Sequence, residues 1–375
     1  MNIVVDSALL AEALEDASKA ISAKAIIPIM SCFFIEATED RLIVTGTDDR
    51  ATIQSFIEEN IQVKEQGSVV LPKVLLEIIK KINGEIRIEV RDGCQAVIRS
   101  RNKEIEMSGI DPDEYPSPPE INQNEFIQIV GKDLKELIKK VVFAADIDGK
   151  SMPIITGVNV SLKNQKIEMV ATNRHRLSQI EKEIEASEIG SAVIEARGLI
   201  ELQKIILDKD EVEFGFSKSN NGAVIYAFAR TERFVFYSRV LEGIYPDTER
   251  MTKIFNEVTR ITVSKKELIE SIELIYTLAK EEKNNAIQFT ATKRELNIRG
   301  RGKETGKANE SIEPTGFEGE EFKISLNARY ALDALKSLNS EHVTLIFTGK
   351  SQPIFITGID DANSVFIVLP YRTEG

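Results

Sequence analysis

His175, His342, Cys32 and Cys94 are the only histidines and cysteines in this 375-residue chain, so the usual nucleophiles, general bases and soft metal ligands are nearly missing. The cysteines are far apart, and neither has a second thiol or a histidine at ligand spacing. No HExxH, GxSxG or DxDxDG pattern occurs. No catalytic residue, metal or cofactor is expected. The stretch GRGKETGKANES (300–311) has the look of a phosphate loop. However, Lys307 is followed by Ala308 instead of the hydroxyl that would ligate magnesium, and position 301, five before Gly306, is Arg. An ordinary polar connection is the stronger reading, and a nucleotide-dependent enzyme using this loop the weaker. The one concentrated polar motif is VATNRHRLSQI (170–180), where Arg174, His175 and Arg176 are adjacent. Flanking cations disfavour the imidazolium, and the motif has no carboxylate to orient the ring. Binding outranks catalysis here, beside the plain alternative of a polar turn after a strand.

The elements that must position this motif come from a repeat. IPIMSCFFIEATEDRLIVTGTD (27–48) and MPIITGVNVSLKNQKIEMVATN (152–173) align without a gap at an offset of 125, matching Pro28 to Pro153 and Leu42 to Ile167. A weaker third copy, NNAIQFTATKRELNIRGRG (284–302), puts Leu296 in the place of Leu42. The copies also end alike, at Tyr115-Pro116, Tyr245-Pro246 and Leu369-Pro370. So long a period means three related domains, not a solenoid. Boundaries are expected at 1–122, 123–250 and 251–375.

Each copy opens with apolar residues at three-and-four spacing (7–21, 131–145, 264–283), and Ser264 with Glu267 reads as a capping box. A second helix follows at 72–82, 195–206 and 327–338, with Pro72 suited to a first turn. Short alternating strands such as RLIVTGT, KIEMVAT and VEFGF lie between. The fold class is α+β, each unit having two helices over one sheet face.

The net charge is −12 and the pI near 5.0, which argues against a chain coated in positive charge for nucleic acid, though not against a local basic surface. The six helical segments hold sixteen Lys and Arg against fourteen Asp and Glu, a surplus of two, so the remainder carries −14. Lys73, Lys80 and Lys81 concentrate on one helix, and Lys132, Lys135, Lys139 and Lys140 on another. Repetition of the pattern favours a phosphate-facing surface over a merely solvated face. The N-terminus has no basic-then-apolar leader pattern, and no stretch is long enough for a bilayer span, so a cytoplasmic location is expected.

The triplicated unit, with MPIITGVNV, VATNRHRL, IYPDTERM and the terminal VLPYR in order, closely resembles the bacterial sliding clamp family, the beta subunit of DNA polymerase III. The resemblance covers all three units. It implies a homodimer closed head to tail into a ring, with helices lining a hole for double-stranded DNA and sheets outside. It also implies a groove that takes short peptides of polymerase, clamp-loader and repair proteins. Carried over by position, that groove comprises Ile155, Thr172, His175, Arg176 and Leu177; then Pro246, Arg250 and Met251; then Asn327, Tyr330, Pro353, Ile354, Ile367, Leu369, Pro370, Tyr371 and Arg372. Lys24 stands where the family places a basic residue toward DNA, and Lys73, Lys80, Lys139 and Arg197 are further DNA-facing candidates. Ring closure is expected to join the strand KEIEMSGI to the region of Leu278. Met152, Asn173 and Arg174 depart from the residues usual in the family, so a specialised second clamp with altered partners is the alternative within the same fold.

Overall fold

A computed structural model describes residues 1–22, 27–48, 50–118, 124–149, 152–185, 188–253, 256–281, 283–361 and 363–371. Lys24 and Arg372 lie outside the described residues. The helices are α1 (Ser7–Ser18), α2 (Val74–Ile79), α3 (Gly131–Val141), α4 (Ala196–Ile205), α5 (Lys265–Ala279) and α6 (Ala328–Ser337). All six expected segments are helical, and each is shorter than its apolar periodicity suggested. Caps set several starts. The Asp6 carboxylate accepts from Ala8 N at 2.8 Å, and Ser264 Oγ accepts from Glu267 N at 3.4 Å, supplying one half of the expected capping box. Asn327 Oδ1 accepts from Arg329 N and Tyr330 N at 2.9 and 3.3 Å. Pro72 differs from expectation: it ends the strand Gly67–Pro72, opposite Cys32, and the helix begins two residues on. That strand closes one edge of its sheet, where a residue without an N–H does least harm.

The repeat is visible in the register. The pairs Ala37↔Leu42, Leu162↔Ile167 and Ala291↔Leu296 close three hairpins at matching positions. The Pro-Ile steps open equivalent 3₁₀ turns, Pro28–Ser31 and Pro153–Thr156. In these Ser31 Oγ donates to the Pro28 carbonyl at 2.6 Å and Thr156 Oγ1 to that of Pro153 at 2.7 Å. The Tyr115 hydroxyl reaches the Cys32 carbonyl at 3.4 Å and that of Tyr245 the Gly157 carbonyl at 3.5 Å, again 125 positions on at the acceptor.

The chain divides into two compact units: 1–134 with 197–240, and 135–196 with 241–375. In the first, strands Asn124–Val130, Glu211–Lys218, Val224–Arg230 and Phe234–Arg239 continue through a Phe234↔Ser55 pairing into Ala51–Ile57, Leu42–Thr47, Cys32–Ala37 and Gly67–Pro72. A separate five-stranded sheet runs from Ile61–Glu65 to Lys103–Ser108. In the second unit, Gly190–Glu195, Gly157–Lys163, Lys166–Thr172 and Arg176–Glu183 continue through Leu177↔Ile367 into Ser364–Val368, Ile354–Gly358, His342–Phe347, Thr259–Ser264 and Gly316–Gly319. A four-stranded sheet starts at Gly306–Ile312 and ends at Phe322–Asn327. The middle repeat thus gives one four-strand half to each neighbour's sheet.

The cores follow from this layout. In the first repeat Leu10 and Leu14 of α1, together with Leu75 and Ile79 of α2, pack with Phe33, Leu42, Ile86 and Ile98 drawn from both sheets. In the third repeat Ile272 and Ile275 of α5, with Leu335 of α6, meet Phe289, Leu326, Phe347 and Ile356. Burying such side chains stabilises by roughly 1.5 to 3 kcal/mol each. Residues 300–311 are the hairpin of strands Leu296–Gly302 and Gly306–Ile312, in which Arg301 faces Lys307 and no helix follows. A phosphate loop needs a helix N-terminus directly after the glycines, so the nucleotide reading of this stretch is withdrawn. No helix among the described residues is long and apolar enough to cross a membrane.

Candidate peptide-binding groove

The NRHR motif caps the hairpin of strands Lys166–Thr172 and Arg176–Glu183. Asn173 Oδ1 accepts from the backbone N–H groups of His175 and Arg176, both at 3.0 Å, and Thr172 Oγ1 donates to the Arg176 carbonyl at 2.7 Å. This Asx turn presents His175 to solvent and turns Arg176 inward. The tail docks on it: Leu369 N donates to the His175 carbonyl at 2.9 Å, and Tyr371 N to that of Ser325 at 2.8 Å. The His175 and Tyr371 rings lie 6.4 Å apart, near-parallel at 28°.

Beneath the rim, Leu177 and Ile367 pack with Val170, Ile346 and Phe355 in a small cluster of their own. Leu177 is 2% exposed and Ile367 1%. These two are floor, while Leu369, Pro370, Tyr371 and Tyr330 remain half-buried and supply the accessible apolar wall. Burial raises the Tyr371 hydroxyl above its ordinary range, reinforced by Tyr330 and opposed by a hydrogen bond with Asn327, so it stays a neutral donor. Thr172 and Asn327 are buried, and the side chains of both already serve the turn and the α6 cap.

Arg176 is a strut as well as a lining residue. Its guanidinium lies 4.6 Å from the Tyr330 ring centroid and 5.4 Å from that of Phe143. It pairs with Asp333 at 2.5 Å and donates to the Phe143 carbonyl. Asp333 and Phe355 carried no signal in the sequence, because they reach the groove from the third repeat, and Phe143 reaches Arg176 only through the packing of the middle repeat.

The other expected lining residues are more scattered. Ile155 is buried with Ile154, Val193, Leu241 and Tyr245, directly before half-buried Pro246. Ile354 is buried opposite Val368, and half-buried Pro353 precedes it. Arg250 and Met251 are exposed on a turn closed by Met251 N and Thr248 O at 3.0 Å. Among the described residues, no hydrogen bond or ion pair joins their side chains to the hairpin or the tail.

The basic candidates divide in the same way. Lys73 Nζ holds the Ser18 and Ile21 carbonyls at 3.4 and 3.2 Å, tying down the end of α1, and burial lowers its pKa. Lys80 pairs with Glu15 at 2.6 Å. Lys139 and Arg197 are exposed. Lys140, counted with the phosphate-facing lysines, is 3% exposed and bonds Asp361 at 2.5 Å and Glu136 at 2.7 Å. It belongs to the interior and is removed from that surface.

Three copies of one α+β unit, each with two helices and two sheet halves, define a triplicated clamp-type fold. Family models for the DNA polymerase III beta subunit match in sequence: the N-terminal domain over residues 1–119, the central domain over 128–247 and the C-terminal domain over 255–372. The chain is 34% identical to the beta sliding clamp of Bacillus subtilis over the whole of both chains, and 33% identical to that of Staphylococcus epidermidis over 96% of each. It superposes on the crystal structure of the Bacillus subtilis sliding clamp with a TM-score of 0.93, at 33% identity, covering 100% of this chain and 99% of that one. The Streptococcus pyogenes beta subunit gives the same TM-score at 28% identity with full coverage of both. The chain belongs to the DNA polymerase III beta subunit family, the bacterial sliding clamps.

Proposed function

We propose that this chain is half of a non-catalytic processivity ring. Two copies close head to tail around duplex DNA and tether the replicative polymerase, clamp-loader subunits and other factors through one groove per subunit. The observation that carries this reading is the unbroken triplication, repeated down to hairpin register and individual hydrogen bonds. The three domains are taken as 1–122, 123–250 and 251–375. Closure is assigned to two sheet edges, Lys103–Ser108 and Gly306–Ile312, each paired on one side only among the described residues. The groove residues are those at the hairpin tip and tail, with Leu369, Pro370, Tyr371, Tyr330 and His175 accessible and Leu177 and Ile367 beneath them. The DNA-facing set is Lys24, Lys73, Lys80, Lys139 and Arg197. Because Lys73 and Lys80 already have partners in the protein, the hold on phosphates is weak, sequence-independent and salt-screened, which suits sliding. A cytoplasmic location follows from this role.

The experiment is retention on circular DNA after loader action, compared with the same DNA linearised, alongside sedimentation. A dimer kept on circles and lost from linear ends is expected. Monomer at micromolar concentration with no retention on circles would end the proposal.

A further inference from the structure

The first and middle repeats build the same turn. In the first repeat the Asp48 carboxylate accepts from Arg50 N at 2.9 Å and Ala51 N at 2.8 Å, and Thr47 Oγ1 donates to the Ala51 carbonyl at 3.2 Å. Asn173 and Thr172 make the same three bonds 125 positions later, around Asn173-Arg174-His175. In both copies the turn is held by the Asp or Asn side chain and the Thr hydroxyl, and none of these three bonds uses the Arg174 side chain. The Arg174 side chain is therefore an addition to a scaffold that does not need it.

Arg174 is also set against backbone preference. Its φ is +71°, the left-handed region that glycine or asparagine adopts with less strain. Only its backbone N–H is engaged, with Thr172 Oγ1 at 3.1 Å. Among the described residues, its exposed guanidinium makes no hydrogen bond or ion pair. Next to it the His175 ring lies against Tyr371, and the His175 carbonyl holds Leu369, both at the accessible apolar wall of the groove. Arg176, in contrast, is neutralised by Asp333. A free, strained cation beside an apolar wall, on a chain of net charge −12, is fitted to a partner of opposite sign.

We propose that Arg174 is a specificity-determining residue that selects partner segments carrying acidic residues beside their apolar anchor. This rests on the groove reading above. The guanidinium is free to pair with a carboxylate through two parallel hydrogen bonds, while the tail wall takes the anchor.

The test uses full-length protein and two synthetic peptides, a Leu-Phe anchor flanked on both sides by aspartates or by asparagines, titrated by fluorescence anisotropy. At low salt the aspartate peptide binds at least about fivefold tighter, a gap that narrows as salt screens the pair. Arg174→Ala and Arg174→Gly both close the gap and leave the asparagine peptide unchanged; the glycine variant also relieves the turn, so a distorted backbone cannot explain the loss. Arg174→Glu makes the aspartate peptide the weaker of the two. Equal loss of both peptides in these variants, or a gap untouched by them, overturns the assignment while the groove reading stands. Failure of both peptides to bind the wild-type protein overturns both.

Discussion

At the scale of single residues, burial sorts the groove side chains into two behaviours. Leu369 is half-buried at the wall, so Leu369→Ala is expected to weaken an anchor peptide by about 1 to 3 kcal/mol with an unchanged melting temperature. Leu177 is buried in the floor cluster, so Leu177→Ala is expected instead to cost roughly 2 to 4 kcal/mol of stability, read by chemical denaturation, with peptide affinity following indirectly. Equal melting temperatures for the two variants would show that Leu177 is not floor. A second residue-scale effect concerns Asp16 on α1. Burial pushes its carboxyl up from 3.8 to about 6; Arg233, paired at 3.4 Å, opposes the shift and nearby Glu12 adds to it. The folded state thus binds this proton more tightly than the unfolded chain. The stabilisation is full below about 3.8 and is lost as pH rises through about 6. Asp16→Asn should remove roughly 3 kcal/mol of pH dependence between those limits, measured as urea midpoints across pH. A parallel pH profile in wild type and variant would rule it out.

At the scale of elements, the end of α3 is fastened to loops of the third repeat by a buried polar node. Lys140 Nζ meets Asp361 Oδ1, while Asp361 Oδ2 accepts from Asn339 N at 2.8 Å, Ser340 N at 3.2 Å and Ser340 Oγ at 3.1 Å. Burial works against both charges, yet the hydrogen bonds Lys140 donates to Asp361 and Glu136 hold it above its usual range, and those from Lys140 and the loop hold Asp361 below its own. Both groups are therefore charged throughout the physiological range. Lys140→Met should cost about 3 to 5 kcal/mol, because it strands a buried carboxylate. Adding Asp361→Asn should recover much of that loss, read as a double-mutant cycle; strict additivity would show that the two do not act as a pair.

At the scale of the whole molecule, ring closure is the property to test. Leu274 on α5 is 56% exposed, and α5 packs on strands Leu296–Gly302 and Gly306–Ile312, the second being the edge assigned to closure. An exposed leucine on the helix that packs against this edge strand fits an interface between copies. Leu274→Asp is expected to shift sedimentation toward monomer at micromolar concentration while leaving the melting temperature of the chain unchanged. A dimer as stable as wild type would place closure elsewhere.

The amino-acid sequence by itself determined what depends on neighbours along the chain. The three hairpins, the six helices and the Ser264 cap follow from apolar period, turn chemistry and hydrogen bonds spanning a few residues, and the 125-residue offset carries these patterns without a gap from the first copy to the second. The tertiary structure alone decided which side chains remain available. Lys140 reads as a surface lysine until Asp361, 221 positions away, closes over it, and Arg176 reads as a free cation until Asp333 and Phe143 enclose it. The division of the middle repeat between two sheets is likewise invisible locally, because pairings such as Phe234↔Ser55 and Leu177↔Ile367 join strands whose periodicities would serve equally well at a free edge. Burial and pairing over such separations are set by packing of the whole chain, and no local pattern encodes them.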